Sequence, residues 1–308
     1  MNIEVLLTES EIAGEFAESI EARDLPEKFF YWSAQSVSAW QRMAKRADDS
    51  LFATWESLAT KAPDLTRAFG KRVPVISFGA GTGLKDRFIL KSLAQAGREV
   101  KYFPVDASQS LLETACAGAE DEDCEALGIK ADISSPMHLM LAADVSEAPR
   151  LFLMAGNTLG GFDPLDQIKH VAEVIQKGDI LILDARLHEG DDVRYDPSPE
   201  EREFVFAPLA DAGLSLEDGT MEFVERKDPR LDGLLMLTRR FHATSDLRLR
   251  VAGGEFPVAR SERILLNFRY RFTAESFRWL LTEHAGLRVV VELPSADGRY
   301  VTAVCIKA

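Results

Sequence analysis

Five apolar segments alternate with helix-like segments between residues 73 and 186, and no other feature restricts the fold as strongly. Continuous apolar runs are typical of strands that are buried on both faces of a sheet. Strands that alternate with helices form an open parallel sheet with helices on both sides. The pattern therefore predicts an α/β, doubly wound, mostly parallel sheet. The five predicted strands are residues 73–78, 99–106, 126–131, 149–157 and 179–186.

The flanking segments predict a different organisation. Residues 1–70 read as helices, starting from a Thr-x-x-Glu capping pattern in TESEIAGEF. Residues 189–272 combine a polar stretch, one helix and several alternating segments, which predicts an inserted α+β segment. Residues 273–308 predict one helix and two strands that are joined by a turn. The parallel strands and their helices then occupy residues 71–188.

Charge and cysteine content exclude several classes of protein. The net charge is −14, whereas a general nucleic-acid binder needs a positive field. The N-terminus has no basic region and no long apolar run, so we expect no signal peptide and no membrane contact. The three cysteines, Cys116, Cys124 and Cys305, show no CxxC spacing, which predicts a reducing, cytoplasmic setting and no metal site.

The segment SFGAGTGLKD connects the first predicted strand to the first helix of the alternating region. Gly79, Gly81 and Gly83 stand at alternate positions in it, and Lys85 follows. Glycine allows a positive φ and lets a ligand approach the backbone, while the start of the next helix attracts anionic groups. Ligands of open α/β sheets bind at the carboxyl ends of the strands. This turn is therefore the predicted ligand site.

Three ligand classes are compatible with a glycine-rich turn. A P-loop requires Gly-x-x-x-x-Gly-Lys-Ser/Thr, but Lys85 here lies between Leu84 and Asp86, without the hydroxyl that binds magnesium. A dinucleotide site requires a small third residue, and this chain has Leu84 there. The Gly-x-Gly-x-Gly spacing instead resembles that of S-adenosylmethionine-dependent methyltransferases. S-adenosylmethionine is therefore the predicted cofactor.

Acidic residues end the second and third predicted strands. Asp106 stands where a carboxylate accepts hydrogen bonds from ribose hydroxyls in nucleoside-binding α/β folds. Asp132 would meet the adenine amino group, with Ile133 against the ring. Both aspartates have an alternative role as helix N-caps.

Four segments together resemble one family, the histidine-specific N-methyltransferases, which trimethylate the α-amine of histidine in ergothioneine synthesis. LPEKFFYWS resembles the family's Pro-Lys-x-Phe-Tyr segment, and SFGAGTGLKDRFIL resembles its glycine turn followed by a lysine. YFPVDASQSLL resembles its Tyr-x-Pro-Val-Asp-x-Ser run, and LFLMAGNTLGGFDP resembles its fourth-strand motif. The resemblance covers residues 25–308.

The resemblance implies a class I methyltransferase fold. In that fold residues 273–308 complete a seven-stranded sheet, and residues 1–70 contribute to the substrate pocket. The resemblance also implies that the glycine turn and Lys85 hold the methionyl part of the cofactor, with Lys85 paired to its carboxylate. Asp106 would then bind the ribose, and Tyr31 would lie in the substrate pocket.

The sequence departs from the family at positions that would contact the substrate. Asn267 and Arg269 stand where the family has a Glu-x-Ser pair for the imidazole ring, and MAKRADDSLFATW lacks a counterpart of its second pocket tyrosine. Gly161 replaces a family asparagine, although Asn157 lies nearby in sequence. Ser77 stands where many methyltransferases have an acidic residue, so backbone carbonyls are expected to bind the cofactor amine.

The predicted activity is therefore methyl transfer from S-adenosylmethionine to a small-molecule amine or amino acid, with histidine itself left open. Two alternatives remain, an NAD-dependent oxidoreductase and a non-catalytic protein that binds S-adenosylmethionine. The predicted catalytic residues are Tyr31 and Asn157; the predicted substrate contacts are Tyr31, Tyr195, Asn267 and Arg269; the predicted cofactor contacts are Gly79, Ala80, Gly81, Gly83, Lys85, Asp106, Ser108, Asp132, Ile133 and Asn157.

Overall fold

The structure is a computed structural model that describes residues 2–44, 49–188 and 195–307. The predicted start of the inserted segment, residues 189–194, lies outside these ranges. The strands are β1 (Asn2–Val5), β2 (Arg72–Phe78), β3 (Glu99–Asp106), β4 (Glu125–Lys130), β5 (Leu151–Met154), β6 (Ile180–Arg186), β7 (Gly219–Lys227), β8 (Leu234–Ala243), β9 (Leu247–Val251), β10 (Gly254–Val258), β11 (Arg263–Phe272), β12 (Leu287–Pro294) and β13 (Tyr300–Lys307).

The helices of these ranges are short, and none is long and apolar enough to cross a membrane. They are α1 (Glu9–Ala22), α2 (Phe29–Trp32), α3 (Ala34–Ala44), α4 (Asp49–Ala59), α5 (Ala62–Leu65), α6 (Asp86–Gln95), α7 (Gln109–Glu120), α8 (Pro136–Ala143), α9 (Pro164–Val174), α10 (Pro199–Asp211) and α11 (Ala274–Trp279).

The largest sheet has the strand order β1-β4-β3-β2-β5-β6-β13-β12. All neighbouring pairs from β1 to β6 are parallel, whereas β13 lies antiparallel between β6 and β12. The predicted α/β, doubly wound, mostly parallel class is confirmed. All seven strands that the sequence predicts for this sheet are present in it.

Strand β1 is an eighth strand that the sequence pattern does not predict. It pairs in parallel with β4, so that Asn2 lies opposite Leu127 and Val5 lies opposite Lys130. Its side chains are mostly exposed. An edge strand of this kind is held by backbone hydrogen bonds, and it therefore needs none of the apolar periodicity by which strands are recognised.

Strand β2 shows why the central strands read as continuous apolar runs. Val73 and Val75 pack in the cluster that includes helices α4 and α6. Ile76 and Phe78 point to the opposite face and pack in the cluster that includes α8 and α9. All four side chains are fully buried. Because successive residues alternate between faces, a strand that is covered on both sides has no polar position along its centre.

A second unit packs beside the large sheet. Strands β11, β8 and β7 form a three-stranded antiparallel sheet, and β9 pairs with β10. Helices α1, α2 and α10 share a core with these strands. That core includes Phe16, Phe29, Phe30, Phe204 and Phe241.

Main-chain hydrogen bonds join the N-terminal segment to β11. The N–H of Leu25 donates to the Leu265 carbonyl (2.9 Å), and the N–H of Leu265 donates to the Arg23 carbonyl (2.8 Å). The register of β11 against β8 shifts between Leu265 and Asn267. Such a bulge re-aims the side chains that follow it, and here those side chains are Asn267 and Arg269.

A buried ion pair closes the opposite, amino-terminal end of the sheet. Arg150 precedes β5 and Asp179 precedes β6; their side chains are joined by Nη2–Oδ2 at 2.6 Å, and both residues are buried. Arg150 also donates from Nη1 to the Ala143 carbonyl (2.7 Å) and from Nη2 to the Val174 carbonyl (3.1 Å). The guanidinium thus holds the ends of α8 and α9 against the two strands.

Removing one partner of this pair leaves a buried charge without compensation. We expect Asp179→Asn to lower the free energy of unfolding by about 3–5 kcal/mol. The matched control is Asp64→Asn, because Asp64 pairs with Arg67 in the open, with side chains 77% and 78% exposed. That change should cost at most about 0.5 kcal/mol. Urea denaturation of both variants measures the difference, and equal costs would contradict a structural role for Arg150.

Candidate active site

A cavity of about 560 Å³ opens at the carboxyl ends of β2, β3 and β5. Strand β2 lies between β3 and β5, which are reached by connections on opposite sides. Ligands of open α/β sheets bind at such a switch point. The volume lies in the range that is usual for small-molecule and cofactor sites.

The glycine turn forms the floor of the cavity. Gly79, Gly81 and Gly83 have φ values of +67°, +56° and +69°, a backbone region that residues with a Cβ rarely adopt. A Cβ on Gly79 would lie only 2.7 Å from Thr158 Cγ2. Gly79, Ala80 and Gly81 all line the cavity. The missing Cβ of Gly79 therefore lets Thr158 pack closely against the turn, while the turn itself stays part of the cavity wall.

Gly83 lies beneath the cavity and serves helix packing instead. A Cβ on Gly83 would be 3.2 Å from both Ala115 Cβ and Tyr102 Oη, so this glycine lets the turn approach α7 closely. The next residue, Leu84, is 52% exposed and borders the cavity. Its bulk therefore stays out of the packing between strand and helix.

The carboxylate of Asp106 ties the end of β3 to the glycine turn. Its Oδ2 accepts from the N–H of Gly81 (2.9 Å), and its Oδ1 accepts from the N–H of Ser108 (3.0 Å). Burial raises the pKa of Asp106, and these backbone donors act against that rise. Asp106 lines the cavity, whereas Ser108 is buried behind it. Ser108 thus positions the carboxylate rather than lining the cavity itself.

Asp132 and Ile133 follow β4 and lie on the same wall. Asp132 Oδ2 accepts from Lys28 Nζ (2.6 Å), and its Oδ1 accepts from the N–H (2.8 Å) and the hydroxyl (2.6 Å) of Ser134. Burial opposes the charge of Asp132, but Lys28 and Ser134 outweigh it and lower the pKa. The Ile133 side chain lies against the glycine turn, 3.2 Å from the position of a Cβ on Gly79.

Lys85 projects into the cavity at the start of α6. Its Nζ lies 4.7 Å from the centre of the Phe52 ring. A Cβ on Gly156 would be 3.2 Å from the same Nζ, so the ammonium lies directly against the loop after β5. This position keeps Lys85 available to a carboxylate of a bound ligand. Asp86, the next residue, also lines the cavity.

The loop after β5 is held by the buried carboxylate of Asp184. Oδ2 accepts from the N–H of Gly156 (2.7 Å) and from Trp55 Nε1 (2.7 Å), and Oδ1 accepts from the N–H of Asn157 (2.5 Å). Asn157 has a φ of +57°, and its Oδ1 accepts from the N–H of Arg186 (2.9 Å). Asn157 lines the cavity, and its amide oxygen is engaged by the last residue of β6.

The predicted substrate residues Tyr31, Asn267 and Arg269 lie together around Glu27. Arg269 Nη2 lies 2.5 Å from Glu27 Oε1 and donates to Tyr31 Oη (2.7 Å), while Asn267 Nδ2 donates to Glu27 Oε2 (3.0 Å). Burial opposes the charge of Arg269, but Glu27 and Tyr31 keep its pKa above the ordinary value. We call these four residues the Glu27 cluster.

Tyr195 belongs to a second group, the Glu201 cluster, which is formed by Tyr195, Glu201, Arg239 and Arg271. The Tyr195 hydroxyl and Arg239 Nη2 both donate to Glu201, and the Arg271 guanidinium lies 4.9 Å from the centre of the Tyr195 ring. Arg239 Nη1 donates to Asn267 Oδ1 (3.2 Å), which connects the two clusters. Sequence reasoning did not identify Glu27, Glu201 or Arg239, because nothing in their local patterns distinguishes them from ordinary charged residues.

Together, the strand order, the glycine cradle and the carboxylate at the end of β3 define a class I, S-adenosylmethionine-dependent methyltransferase. The chain belongs to the family of histidine-specific, S-adenosylmethionine-dependent methyltransferases, whose model matches residues 10–193. The family predicted from the four sequence segments is thereby confirmed, as are the methyltransferase class of the enzyme and its cofactor, S-adenosylmethionine. The family assignment favours methyl transfer over the alternative of an NAD-dependent oxidoreductase.

Solved methyltransferase structures are similar to this chain at low sequence identity. The citrinin polyketide synthase CMeT domain has 14% identity over 96% of this chain and 62% of that chain, with a TM-score of 0.50. The CcbJ methyltransferase from Streptomyces caelestis has 17% identity over 81% of this chain and 95% of that chain, with a TM-score of 0.39. The plantazolicin methyltransferase BpumL, solved in complex with SAH, has 14% identity over 71% and 86%, with a TM-score of 0.38. No curated protein matches the chain.

The lining residues fit the chemical groups of S-adenosylmethionine. The glycine cradle leaves room for a ligand against the backbone, and Asp106 presents a carboxylate of the kind that binds ribose hydroxyls. Lys85 and Asp86 present opposite charges side by side on the cavity wall, as a zwitterionic methionyl group requires. The individual contacts to the cofactor remain predictions.

The glycine cradle generates a test with a matched control. We expect Gly79→Ala to weaken binding of S-adenosylhomocysteine by at least about tenfold, since a Cβ that close to Thr158 displaces the loop or fills the cradle. Gly97→Ala is the control, because Gly97 has a φ of +76° but nothing within 4 Å of its Cβ position. Both variants should lose about 1–2 kcal/mol of stability from the positive φ. Calorimetric titration that shows equal affinities in the two variants would contradict the cradle.

Proposed function

We propose that the protein methylates the nitrogen of a small amine that also carries a carboxylate, and that this acceptor is not histidine. The observation that carries the proposal is the Glu27 cluster: Glu27, Tyr31 and Arg269 line the cavity, and Asn267 is buried behind them. Asn267 and Arg269 stand where the resemblance to the family implies an imidazole-binding pair. Here both side chains are bonded to Glu27. An arginine at this position also disfavours a ring that carries a positive charge.

Arginines further along the cavity support an anionic group on the acceptor. Arg186, Arg239, Arg271 and Arg299 line this part of the cavity, together with Tyr195. Arginine binds carboxylates through two parallel hydrogen bonds. Burial lowers the pKa of Arg271; the charge of Glu225, whose Oε1 lies 2.9 Å from Arg271 Nη2, acts against that fall, and the charge of Arg186 adds to it. A carboxylate beside Arg186 and Arg271 would relieve the repulsion between these two guanidinium groups.

Positioning is the main contribution that this chain makes to the reaction. S-adenosylmethionine supplies an activated methyl group when it is bound. The glycine turn, Asp106 and Lys85 hold one reactant, and the Glu27 and Glu201 clusters hold the other. Correct placement of two reactants contributes up to about 7–11 kcal/mol to lowering the barrier. The acceptor nitrogen must be neutral to react, and an enclosed cavity favours the neutral form of an amine.

Tyr31 orients the acceptor and does not act as a base in this proposal. Burial raises the pKa of Tyr31 well above its ordinary value, although the charge of Arg269 acts in the opposite direction. The phenol therefore keeps its proton throughout the physiological range. Its oxygen accepts from Arg269, so its position is defined by the Glu27 cluster.

Methyl transfer from isotopically labelled S-adenosylmethionine to a panel of amino acids, including histidine, tests the proposal. We expect an amino acid other than histidine to gain labelled methyl groups, as measured by mass spectrometry. The amine that corresponds to it without the carboxylate should react at least about tenfold more slowly, because a charged hydrogen bond contributes about 1.5–3 kcal/mol. If nothing is methylated although S-adenosylhomocysteine binds, the protein is a non-catalytic cofactor-binding protein.

The role of Tyr31 has a separate test in the pH dependence of the rate. A tyrosine with a raised pKa does not titrate below pH 10, so the inflection in kcat/KM belongs to the acceptor amine. We expect Tyr31→Phe to lower kcat/KM by about 10- to 100-fold through lost positioning without moving that inflection. Tyr270→Phe is the control: Tyr270 also lines the cavity, but its hydroxyl contacts Arg230 (3.2 Å), so this change should alter the rate by less than about threefold. An inflection that disappears in Tyr31→Phe would identify Tyr31 as the base.

A further inference from the structure

The strand that leads into the glycine turn carries no acidic residue at its end. Ser77 stands where many methyltransferases place the carboxylate that binds the cofactor amine. Strand alternation puts Ser77 on the same face of β2 as Val75, which is the face covered by α6. Ser77 is fully buried. A hydroxyl cannot supply the negative charge that an ammonium group requires in an enclosed site.

A carboxylate from the neighbouring helix occupies this region. Asp86 is the first residue of α6; it is 1% exposed and lines the cavity. Its Oδ2 accepts from the hydroxyl of Tyr102 (2.5 Å). Burial raises the pKa of Asp86, while the hydroxyls of Tyr102 and Ser77 and the charge of Lys85 lower it. Asp86 is thus a residue of the cavity wall whose buried carboxylate lies beside Ser77 and Tyr102.

Two other carboxylates near the glycine turn are already engaged by backbone donors: Asp106 accepts from the N–H groups of Gly81 and Ser108, and Asp184 holds the loop after β5. Asp184 accepts from the N–H groups of Gly156 and Asn157 and from the indole of Trp55. These three donors satisfy the Asp184 carboxylate, which thereby holds the loop after β5. Asp86 has hydroxyl neighbours instead, and a neutral hydroxyl compensates a buried negative charge less well than a cation does.

We propose that the Asp86 carboxylate binds the α-ammonium group of the cofactor's methionyl part, and that it replaces the acidic residue that is missing at Ser77. Lys85 and Asp86 would then bind the two ends of one zwitterion. The Lys85 ammonium lies towards Phe52 and the loop after β5, and the Asp86 carboxylate lies towards Tyr102 and β2. This assignment replaces the expectation that backbone carbonyls alone bind the amine.

The alternative is that Asp86 only packs against Tyr102 and has no contact with the cofactor. Two ligands separate these roles, because S-adenosylhomocysteine carries the ammonium group and 5′-methylthioadenosine lacks the whole amino-acid part. We expect Asp86→Asn to weaken binding of S-adenosylhomocysteine by about 10- to 100-fold, the loss of one charged contact. Its affinity for 5′-methylthioadenosine should stay within about twofold of the wild type. Calorimetric titration measures both.

Matched variants and a third ligand make the test independent of folding defects. Tyr102→Phe removes the hydroxyl partner but keeps the carboxylate, so it should retain the preference for S-adenosylhomocysteine over 5′-methylthioadenosine. Ser77→Asp combined with Asp86→Asn returns a carboxylate to the strand and should restore part of that preference. The wild-type protein should also bind the deaminated analogue of S-adenosylhomocysteine at least about tenfold more weakly than the parent compound.

Two results would overturn the proposal. One is an equal affinity of the wild-type protein for S-adenosylhomocysteine and its deaminated analogue, which requires no variant at all. The other is a loss in Asp86→Asn that is the same for S-adenosylhomocysteine and 5′-methylthioadenosine. Neither result bears on the identity of the methyl acceptor, because all these measurements are made without one.

Discussion

The turn from β2 into α6 is the constraint on which the site depends. Its three glycines all have a positive φ, and a Cβ at Gly79 would meet Thr158 at 2.7 Å. The chain can therefore turn between the end of β2 at Phe78 and the start of α6 at Asp86 with its backbone on the cavity side. Asp106 extends this constraint to the next strand, because its carboxylate accepts the N–H of Gly81. The ends of β2 and β3 thus form one rigid unit.

On the other side of the switch point, the Asp184 carboxylate fixes the loop after β5, as Asp106 fixes the glycine turn. Asp184 accepts the N–H groups of the loop after β5 and the indole N–H of Trp55, a residue of α4. A buried carboxylate is tolerated only when its oxygens are satisfied in this way. Asp184 therefore links the N-terminal helices to the parallel sheet, and it brings Phe52 of the same helix over Lys85.

The acceptor side of the cavity is formed by charged side chains rather than by backbone groups. The Glu27 and Glu201 clusters consist of charged side chains that compensate one another, and they come from the N-terminal segment, α10 and the antiparallel strands. Buried ion pairs of this kind contribute little net stability, but removing one partner is costly. They therefore suit a wall that must hold a few polar groups in one arrangement. In this proposal the cofactor half of the cavity is defined by backbone geometry and the acceptor half by side-chain charge.

The sequence alone was sufficient to predict the fold class, the cofactor and the glycine cradle, because each of them depends on a short, recognisable sequence pattern. Continuous apolar runs indicate strands that are buried on both faces, and the spacing of the glycines indicates a turn whose residues have a positive φ. Strand β1 was missed, since an edge strand needs only backbone pairing. Glu27 and Asn267 are 240 positions apart in the chain, and only the bulged register of β11 brings them into hydrogen-bond contact.

The sequence did not predict a role for Asp86 for a related reason: a charged residue in the first turn of an amphipathic helix is ordinarily interpreted as a solvent-exposed residue that interacts with the helix dipole. Tertiary structure alone decided that this carboxylate is buried beside Ser77 in the wall of the cavity, because only packing determines which polar side chains are removed from water.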